Sequence, residues 1–184
     1  MAPVFITEYR GGNIIVEGQD DNTIRLSQDM KGFTGWWFYW NFAIEQAGGM
    51  ELEFSFKDEV VGPCGPAVSR DRINWEWLGE DSFVSPNAFR YSFTSNERMY
   101  FSNVLPYTTD NFEVFYSQIK NSPGLERSVL ATSERGNEIP LLRIGAPGAS
   151  KHIFLTANHH AGDTSANYVV EGFTRYFAEH RDEG

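Results

Sequence analysis

Residues 36–44 read Trp36-Trp37-Phe38-Tyr39-Trp40-Asn41-Phe42-Ala43-Ile44 and carry the strongest β-strand pattern of the chain. The even positions are all large and apolar, whereas the odd positions are mixed. Because successive side chains of a strand point to opposite faces, this alternation predicts a strand with one face in a core. Residues 50–57 alternate in the same way after the turn at 47–49. Two half-buried strands joined by a short turn are typical of an antiparallel sheet.

Short strand patterns occupy the chain on both sides of this stretch. Turn residues separate them, and no helical pattern interrupts them before residue 104. The further strands are predicted at residues 3–9, 13–17, 22–26, 67–70, 74–78, 88–94 and 98–104. Arg10-Gly11-Gly12 predicts a hairpin turn between the first two. This spacing of strands predicts an N-terminal antiparallel β-sandwich, for which we expect the bounds 1–125.

The aromatic row Trp36, Phe38 and Trp40 has two interpretations. It could form an exposed platform for a carbohydrate or a peptide, or it could belong to the core of the sandwich. Aromatic side chains that recur at every second position of a strand pack more often in a core. The core interpretation is therefore preferred, and a binding module stays open as an alternative.

The pattern changes to helix and then to α/β after residue 104. Apolar residues recur at helical spacing over 109–121, and Thr109 is suited to cap that helix. Three later apolar runs show little alternation, as in strands covered on both faces. These runs are residues 128–132, 139–144 and 153–157, and a helix over 165–180 follows them. We therefore expect an α/β C-terminal part over residues 126–184.

Composition and charge indicate a folded, acidic protein. Aromatic residues make up 15% of the chain and hydrophobic residues 41%, as in globular proteins. A formal net charge of −10 argues against nucleic acid or an anionic membrane surface as the main partner. Cys64 is the only cysteine, so the chain can form no internal disulfide, and we interpret Cys64 as a structural or an incidental residue. No targeting segment or membrane-spanning run is found, which favours a cytoplasmic location.

Residues 151–165 carry the candidate chemistry. They read Lys151-His152-Ile153-Phe154-Leu155-Thr156-Ala157-Asn158-His159-His160-Ala161-Gly162-Asp163-Thr164-Ser165, which predicts a buried strand, a tight turn and the start of a helix. Open α/β sheets collect their ligands where a strand ends and a helix begins. His160 and Asp163 lie in that turn and can both bind a metal ion. An alternative is that Asp163 caps the helix and His160 bonds to the backbone of the turn.

The segment 157–164, followed by Tyr168-Val169-Val170-Glu171-Gly172, resembles the zinc-binding segment of the zinc carboxypeptidases, and of their cytosolic carboxypeptidase-like branch in particular. The resemblance implies that His160 is the first zinc ligand and that Asp163 takes the place of the second, which is normally Glu. Ala161 also stands where the family has Pro. Residues 67–79 and the segment from Phe101 to the helix at 109–121 resemble the β-sandwich that precedes the catalytic domain in this branch.

The resemblance further implies a Zn²⁺ cofactor and the removal of C-terminal residues from peptides or proteins. It places a third zinc ligand, a substrate-binding Arg and the catalytic Glu beyond residue 184, so we assign no catalytic residue here. His152 and His180 each lie roughly 25 Å from the turn along their predicted elements and cannot serve as the third ligand. We therefore expect this chain to hold the sandwich and the first part of the catalytic domain, and to be inactive by itself.

Two alternatives remain open at this point. One is a protein- or glycan-binding sandwich with a vestigial metal turn, and the other is a deacylase of the aspartoacylase type, which the preceding sandwich disfavours. A separate expectation concerns assembly, because apolar strands cut off from their usual neighbours would lie open to solvent. We therefore also expect a homo-oligomer that forms through exposed strands.

Overall fold

The computed structural model describes residues 2–32, 34, 38–146 and 148–180. Trp36 and Trp37, at the start of the predicted central strand, lie outside the described residues. The contacts among Cα atoms divide the chain into two compact units. Unit 1 contains residues 1–108 and 160–164, and unit 2 contains residues 109–159 and 165–184. The predicted domain boundary near residue 125 falls inside unit 2 and stays a prediction for the domain organisation.

The described residues of unit 1 form ten strands. In chain order they are β1 (Val4–Ile6), β2 (Ile15–Asp20), β3 (Thr23–Ser27), β4 (Asn41–Glu45), β5 (Glu51–Phe56), β6 (Ala67–Ser69), β7 (Glu76–Trp77), β8 (Phe83–Ser85), β9 (Ala88–Ser92) and β10 (Met99–Ser102). They form two five-stranded sheets, with the orders β1-β4-β10-β6-β7 and β2-β3-β5-β9-β8. The prediction of a mainly β protein that begins with a sandwich is confirmed.

Aromatic side chains from both sheets form the core of unit 1. Phe42 of β4 and Phe101 of β10 contact Phe54 of β5 with ring centroids 5.4 and 5.7 Å apart, which joins the two sheets. The Phe89 ring of β9 lies 4.7 Å from that of Phe54. All four side chains are fully buried, as is Trp40. Aromatic pairs at these separations stabilise a core beyond the area that they bury.

Strand β4 differs from its prediction in length and in exposure. It begins at Asn41 rather than at residue 36, and residues 38–40, which directly precede it, belong to no strand. Both of its faces are buried, because Asn41 and Ala43 are covered as well as Phe42 and Ile44. The Tyr9 hydroxyl donates a hydrogen bond of 2.8 Å to the Asn41 carboxamide oxygen, so the segment before β2 covers the face that was expected to be wet.

The predicted hairpin over residues 3–17 is wrong. β1 pairs with β4 in one sheet, whereas β2 pairs with β3 in the other, so the chain changes sheets between them. Gly11 has a φ of 88° and Gly12 lies where an added Cβ would be 2.1 Å from the Thr7 carbonyl oxygen. Two glycines therefore allow a tight turn, as predicted, but the turn joins two sheets rather than two partners of one hairpin.

The sandwich is not entirely antiparallel. β3 and β5 are parallel neighbours, with Ile24 opposite Phe54, while every other described strand pair in unit 1 is antiparallel. Parallel neighbours need a crossover connection, and here the chain supplies it by forming β4 in the other sheet. Strand β8 was not predicted from the sequence.

Two helices and a two-stranded sheet are present in the part of unit 2 that the structure describes. The elements are α1 (Thr109–Ile119), β11 (Leu125–Thr132), β12 (Glu138–Ile144) and α2 (Ser165–Glu179). Each was predicted to within a few residues. β11 and β12 are antiparallel partners, however, and most of their residues are exposed, so the expectation of strands covered on both faces is wrong.

The predicted buried strand over residues 153–157 is also wrong. The segment has no assigned secondary structure, and Ile153, Phe154 and Leu155 are 78%, 67% and 44% exposed. Apolar and β-branched residues favour a strand only where a partner strand and a covering layer accept them. Among the described residues no strand pairs with this segment.

The described helices were also compared with the requirements for crossing a membrane. Neither α1 nor α2 combines the length and the apolar character of a membrane-spanning helix.

Candidate metal centre

The metal turn, residues His160–Thr164, has a closed backbone. The amide of Asp163 donates a hydrogen bond of 3.0 Å to the carbonyl of His160, which is the bond that closes a four-residue turn. Just before the turn, Asn158 has a φ of 62°, a left-handed conformation that Asn tolerates better than most residues. Thr164 is buried at 3% exposure, and α2 begins directly after it. The turn thus presents its two polar residues on a fixed backbone.

The His160 and Asp163 side chains converge. The His160 Nδ1 atom lies 2.7 Å from the Asp163 Oδ2 atom. Their side chains are 81% and 55% exposed, so both can reach a ligand from solvent. Of the residues predicted to form the site, these two are brought together by the structure.

This pair fits a zinc ion with a small adjustment. In a tetrahedral site with metal–ligand distances of about 2.0–2.1 Å, two ligand atoms stand about 3.3 Å apart. The His160 Nδ1 and Asp163 Oδ2 atoms are closer than that by roughly half an ångström. Their separation is that of a hydrogen bond, which forms when the two groups do not share a metal ion. Rotation of two exposed side chains is enough to open this distance. An imidazole nitrogen and a carboxylate oxygen are both ordinary zinc ligands.

The predicted capping role of Asp163 is not what the structure shows. α2 begins at Ser165, so Thr164 rather than Asp163 occupies the position before the helix. The Asp163 carboxylate faces His160 instead, and the His160 ring contacts that carboxylate rather than the backbone of the turn.

Two of the other histidines, His159 and His180, contact groups away from the metal turn's carboxylate. The His159 Nε2 atom lies 2.9 Å from the Thr156 hydroxyl. The His180 ring stacks on Tyr176 with centroids 4.4 Å apart, and its Nδ1 lies 3.0 Å from the Tyr176 carbonyl oxygen. Across the part of the chain that the structure describes, no group of three or more His, Cys, Asp or Glu side chains is placed to hold a metal ion.

Sequence reasoning missed one neighbour of the metal turn. A Cβ added at Gly162 would lie 3.2 Å from the carbonyl oxygen of Phe38, in the segment that leads into β4. The pattern around Phe38 indicated a core strand, and nothing in it pointed to a contact with a turn more than 120 residues later. A glycine between two candidate ligands was the available signal, because glycine allows close backbone approach.

A second feature of unit 1 is an open groove at the edge of the sandwich. It has a volume of about 400 Å³ and lies among β6, β7 and their neighbours. Its lining includes Trp75 and Tyr91 together with the charged residues Arg70, Asp71 and Glu76. Aromatic rings beside charged groups are able to bind either a peptide or a sugar.

Comparison with known proteins shows similarity to metallo-carboxypeptidases. No family model matches the chain. An uncharacterized protein of Zymomonas mobilis is 26% identical over 95% of this chain and 47% of its own length. Mouse cytosolic carboxypeptidase 3 is 21% identical over 94% of this chain and 21% of its own length. The resemblance to the cytosolic carboxypeptidases that the motifs predicted is thereby confirmed.

The solved structures agree on the fold. A metallo-carboxypeptidase from Burkholderia cenocepacia superposes with a TM-score of 0.80 at 18% identity, over 98% of this chain and 50% of that protein. The enzyme from Pseudomonas aeruginosa gives a TM-score of 0.76 at 21% identity, over 94% and 48%. The chain therefore has the fold of the N-terminal part of these proteins and spans about half of their length.

Proposed function

We propose that this chain is the part of a zinc metallocarboxypeptidase that carries the accessory sandwich and two metal ligands, His160 and Asp163. The whole protein would hydrolyse C-terminal residues of peptides or proteins. The observation that carries the proposal is the convergence of His160 Nδ1 and Asp163 Oδ2 at 2.7 Å in a chain with a carboxypeptidase-like fold. Relatives with cytosolic names support a cytoplasmic location for it.

Each ligand has a distinct task in this proposal. A bound zinc ion supplies a Lewis acid that polarises a carbonyl group and acidifies a water molecule. His160 would provide a neutral nitrogen ligand and Asp163 a carboxylate that lowers the net charge of the site. The hydrogen bond between them keeps both groups oriented before a metal ion binds. Asp is one methylene shorter than the Glu of the family pattern, so the backbone of the turn must stand correspondingly closer to the metal.

Zinc binding tests the proposal directly. Two protein ligands leave half of a tetrahedral coordination sphere to water, so we expect weak binding by this chain. Elemental analysis after dialysis should give well under one zinc ion per chain. His160→Ala should remove the binding that is present, whereas His152→Ala should leave it unchanged.

Two results would contradict the assignment. Retention of zinc by the His160→Ala variant would place the ion elsewhere in the chain. A full equivalent of tightly held zinc in the wild-type chain would show a more complete site than the pair described. Incubation with peptides is expected to release no C-terminal residue, because we assign no general base within the chain.

We also propose that the chain self-associates through its exposed apolar segments. Phe154 and Ile153 are among the most exposed large apolar side chains of the described residues, and Val129 and Leu130 of β11 are half exposed. Large apolar patches on soluble proteins usually mark an interface. A second copy would cover these side chains by pairing with the edges of β11, β12 or the unpaired segment 151–157.

A second candidate function is a binding module for a protein or a glycan. The observation that favours it is the groove lined by Trp75 and Tyr91, which lies within the sandwich itself. Screening of peptide and oligosaccharide arrays would reveal such a ligand. Binding that is lost in Trp75→Ala and kept in His160→Ala would favour the module, and the reverse pattern would favour the metal site.

A further inference from the structure

The backbone of residues 38–40, which we call the platform loop, supports the metal turn. We infer that this loop positions His160 and Asp163 for metal binding and that Gly162 is the residue through which it acts. The inference rests on the proposed metal site. It goes beyond that site because it gives the sandwich a specific role in shaping the ligand geometry. Gly162 and the platform loop are accordingly positioning elements and not ligands.

Trp40 fixes one end of the platform loop in the core. Its side chain is fully buried, and its indole Nε1 donates a hydrogen bond of 3.0 Å to the Val60 carbonyl. Its backbone amide donates to the Asn103 side-chain oxygen at 3.1 Å. Its backbone carbonyl accepts from the Asn103 amide at 3.3 Å and from the Ser102 hydroxyl at 3.2 Å. Four hydrogen bonds and a buried indole leave this residue little freedom to move.

Tyr39 fixes the middle of the loop. Its amide donates a short hydrogen bond of 2.6 Å to the Gln28 side-chain oxygen. Its hydroxyl donates to the Gly11 carbonyl at 3.0 Å, and the side chain is 8% exposed. Tyr39 therefore holds the peptide unit that contains the Phe38 carbonyl in two ways, through its backbone amide and through its side-chain hydroxyl.

The metal turn lies against this fixed carbonyl. An added Cβ at Gly162 would stand 3.2 Å from the Phe38 oxygen, which is tighter than an ordinary contact. Thr164, two residues later, is almost fully buried, so the turn cannot simply lift away. Residues 160–164 belong to the same compact unit as the sandwich, in agreement with this packing.

A side chain at position 162 would disturb the distances between the metal ion and its ligands. A side chain at Gly162 requires a shift of a few tenths of an ångström between the turn and the loop. Metal sites tolerate about 0.2 Å in their ligand distances. Because the loop is anchored, the turn must distort at Gly162, and this distortion changes the separation and orientation of His160 and Asp163 on its two sides.

The test compares two glycine substitutions by zinc titration of the full chain. Gly162→Ala should weaken zinc binding about tenfold, the lower end of what is lost when supporting contacts of a metal site are removed. Gly172→Ala is the matched control, because a Cβ added there in α2 meets nothing within 4 Å. We expect wild-type affinity from it. Thermal melts of both variants report whether each remains folded.

A second readout does not require bound metal. The ¹⁵N resonances of the His160 ring report its hydrogen bond to Asp163, and they should shift in Gly162→Ala but not in Gly172→Ala. Wild-type affinity and unchanged ring resonances in a folded Gly162→Ala variant would overturn the inference, even if His160→Ala abolishes zinc binding. Zinc binding that survives His160→Ala would instead refute the proposed metal site, and the ring resonances would then still decide whether the loop positions His160.

Discussion

The two units of this chain differ in how they use their apolar residues. In unit 1 the large side chains Trp40, Phe42, Phe54, Phe89 and Phe101 are fully buried in one core. Among the described residues of unit 2, only Phe115, Ile119 and Ala178 are buried apolar side chains. Unit 2 also exposes Ile153, Phe154 and Val169 by two thirds or more. Similar hydrophobic content thus gives a closed core in one unit and an open apolar surface in the other.

The difference shows that apolar content does not by itself produce burial. The sandwich supplies two faces that cover each other, and its chain alternates between the two sheets. The described residues of unit 2 supply one ribbon of two strands and two helices, and most residues of that ribbon are exposed. A second layer facing the ribbon, as each sheet of unit 1 has, is what would bury its apolar side chains.

The largest expected effect comes from the core of unit 1. Trp40→Ala should lower the free energy of unfolding by about 3–5 kcal/mol, because it creates a cavity and leaves the Val60 carbonyl without its donor. Phe154→Ala is the matched aromatic truncation in unit 2 and should change stability by less than about 0.5 kcal/mol. Urea denaturation of the two variants measures both. Equal losses would mean that Phe154 is buried in solution.

An intermediate effect is expected on association. Replacement of both Ile153 and Phe154 by Ser should weaken self-association, because each removes a side chain whose burial contributes about 1.5–3 kcal/mol. Replacement of Val84 of β8 by Ser is the control, because this side chain is also exposed, at 43%, but lies in the sandwich and outside the proposed interface. Light scattering over a range of concentrations gives the size of each species. A wild-type chain that stays monomeric at all concentrations would refute the proposed interface.

The smallest effect concerns pH and a loop of the sandwich. Hydrogen bonds from the backbone and side chain of Asn74, then from the Ile73 amide, hold the pKa of Asp71 well below its usual range. Because its pKa is depressed in the folded state, the ionised carboxylate stabilises that state at pH values above the unfolded pKa of about 4. This contribution decreases as the pH falls below about 4 and is lost as the pH falls through the folded pKa. Asp71→Asn should therefore cost more stability at pH 7 than at pH 2.

Thermal melts at the two pH values measure this difference. Asp58 is also an exposed carboxylate of unit 1, so Asp58→Asn provides the control for the loss of one charge. A larger loss for Asp71→Asn at pH 2 than at pH 7 would contradict the assigned role of the hydrogen bonds.

Local patterns predicted much of the fold because the relevant interactions are local. α1 and α2 follow from apolar residues at helical spacing, and α1 begins at the first residue of its predicted range. Thr109 was expected to cap this helix, but it is the first helical residue, so Thr108 occupies the cap position. The alternation at Leu52, Phe54 and Phe56 correctly identified the buried face of β5. In the candidate site, the short spacing of His160 and Asp163 was enough to expect their convergence.

Partner choice could not be read from the same patterns. The residues of β1 and β2 look like the two arms of a hairpin, yet β1 pairs with the distant β4 in one sheet and β2 pairs with β3 in the other. Residues 153–157 have the composition of a strand but lack a partner among the described strands. The contact between Gly162 and Phe38 joins residues far apart in sequence, and only the three-dimensional arrangement brings them together.

The position of β10 has a consequence for the synthesis of the chain. β10 lies between β4 and β6, and its Met99 pairs with Ile44, which precedes it by 55 residues (99 − 44). At roughly 5–20 residues per second, a ribosome releases this partner about 3–11 s after β4. During that interval β4 has left the ribosome without the strand that pairs with its second edge. Nascent β4 therefore presents an open sheet edge, which a chaperone can shield, until β10 emerges.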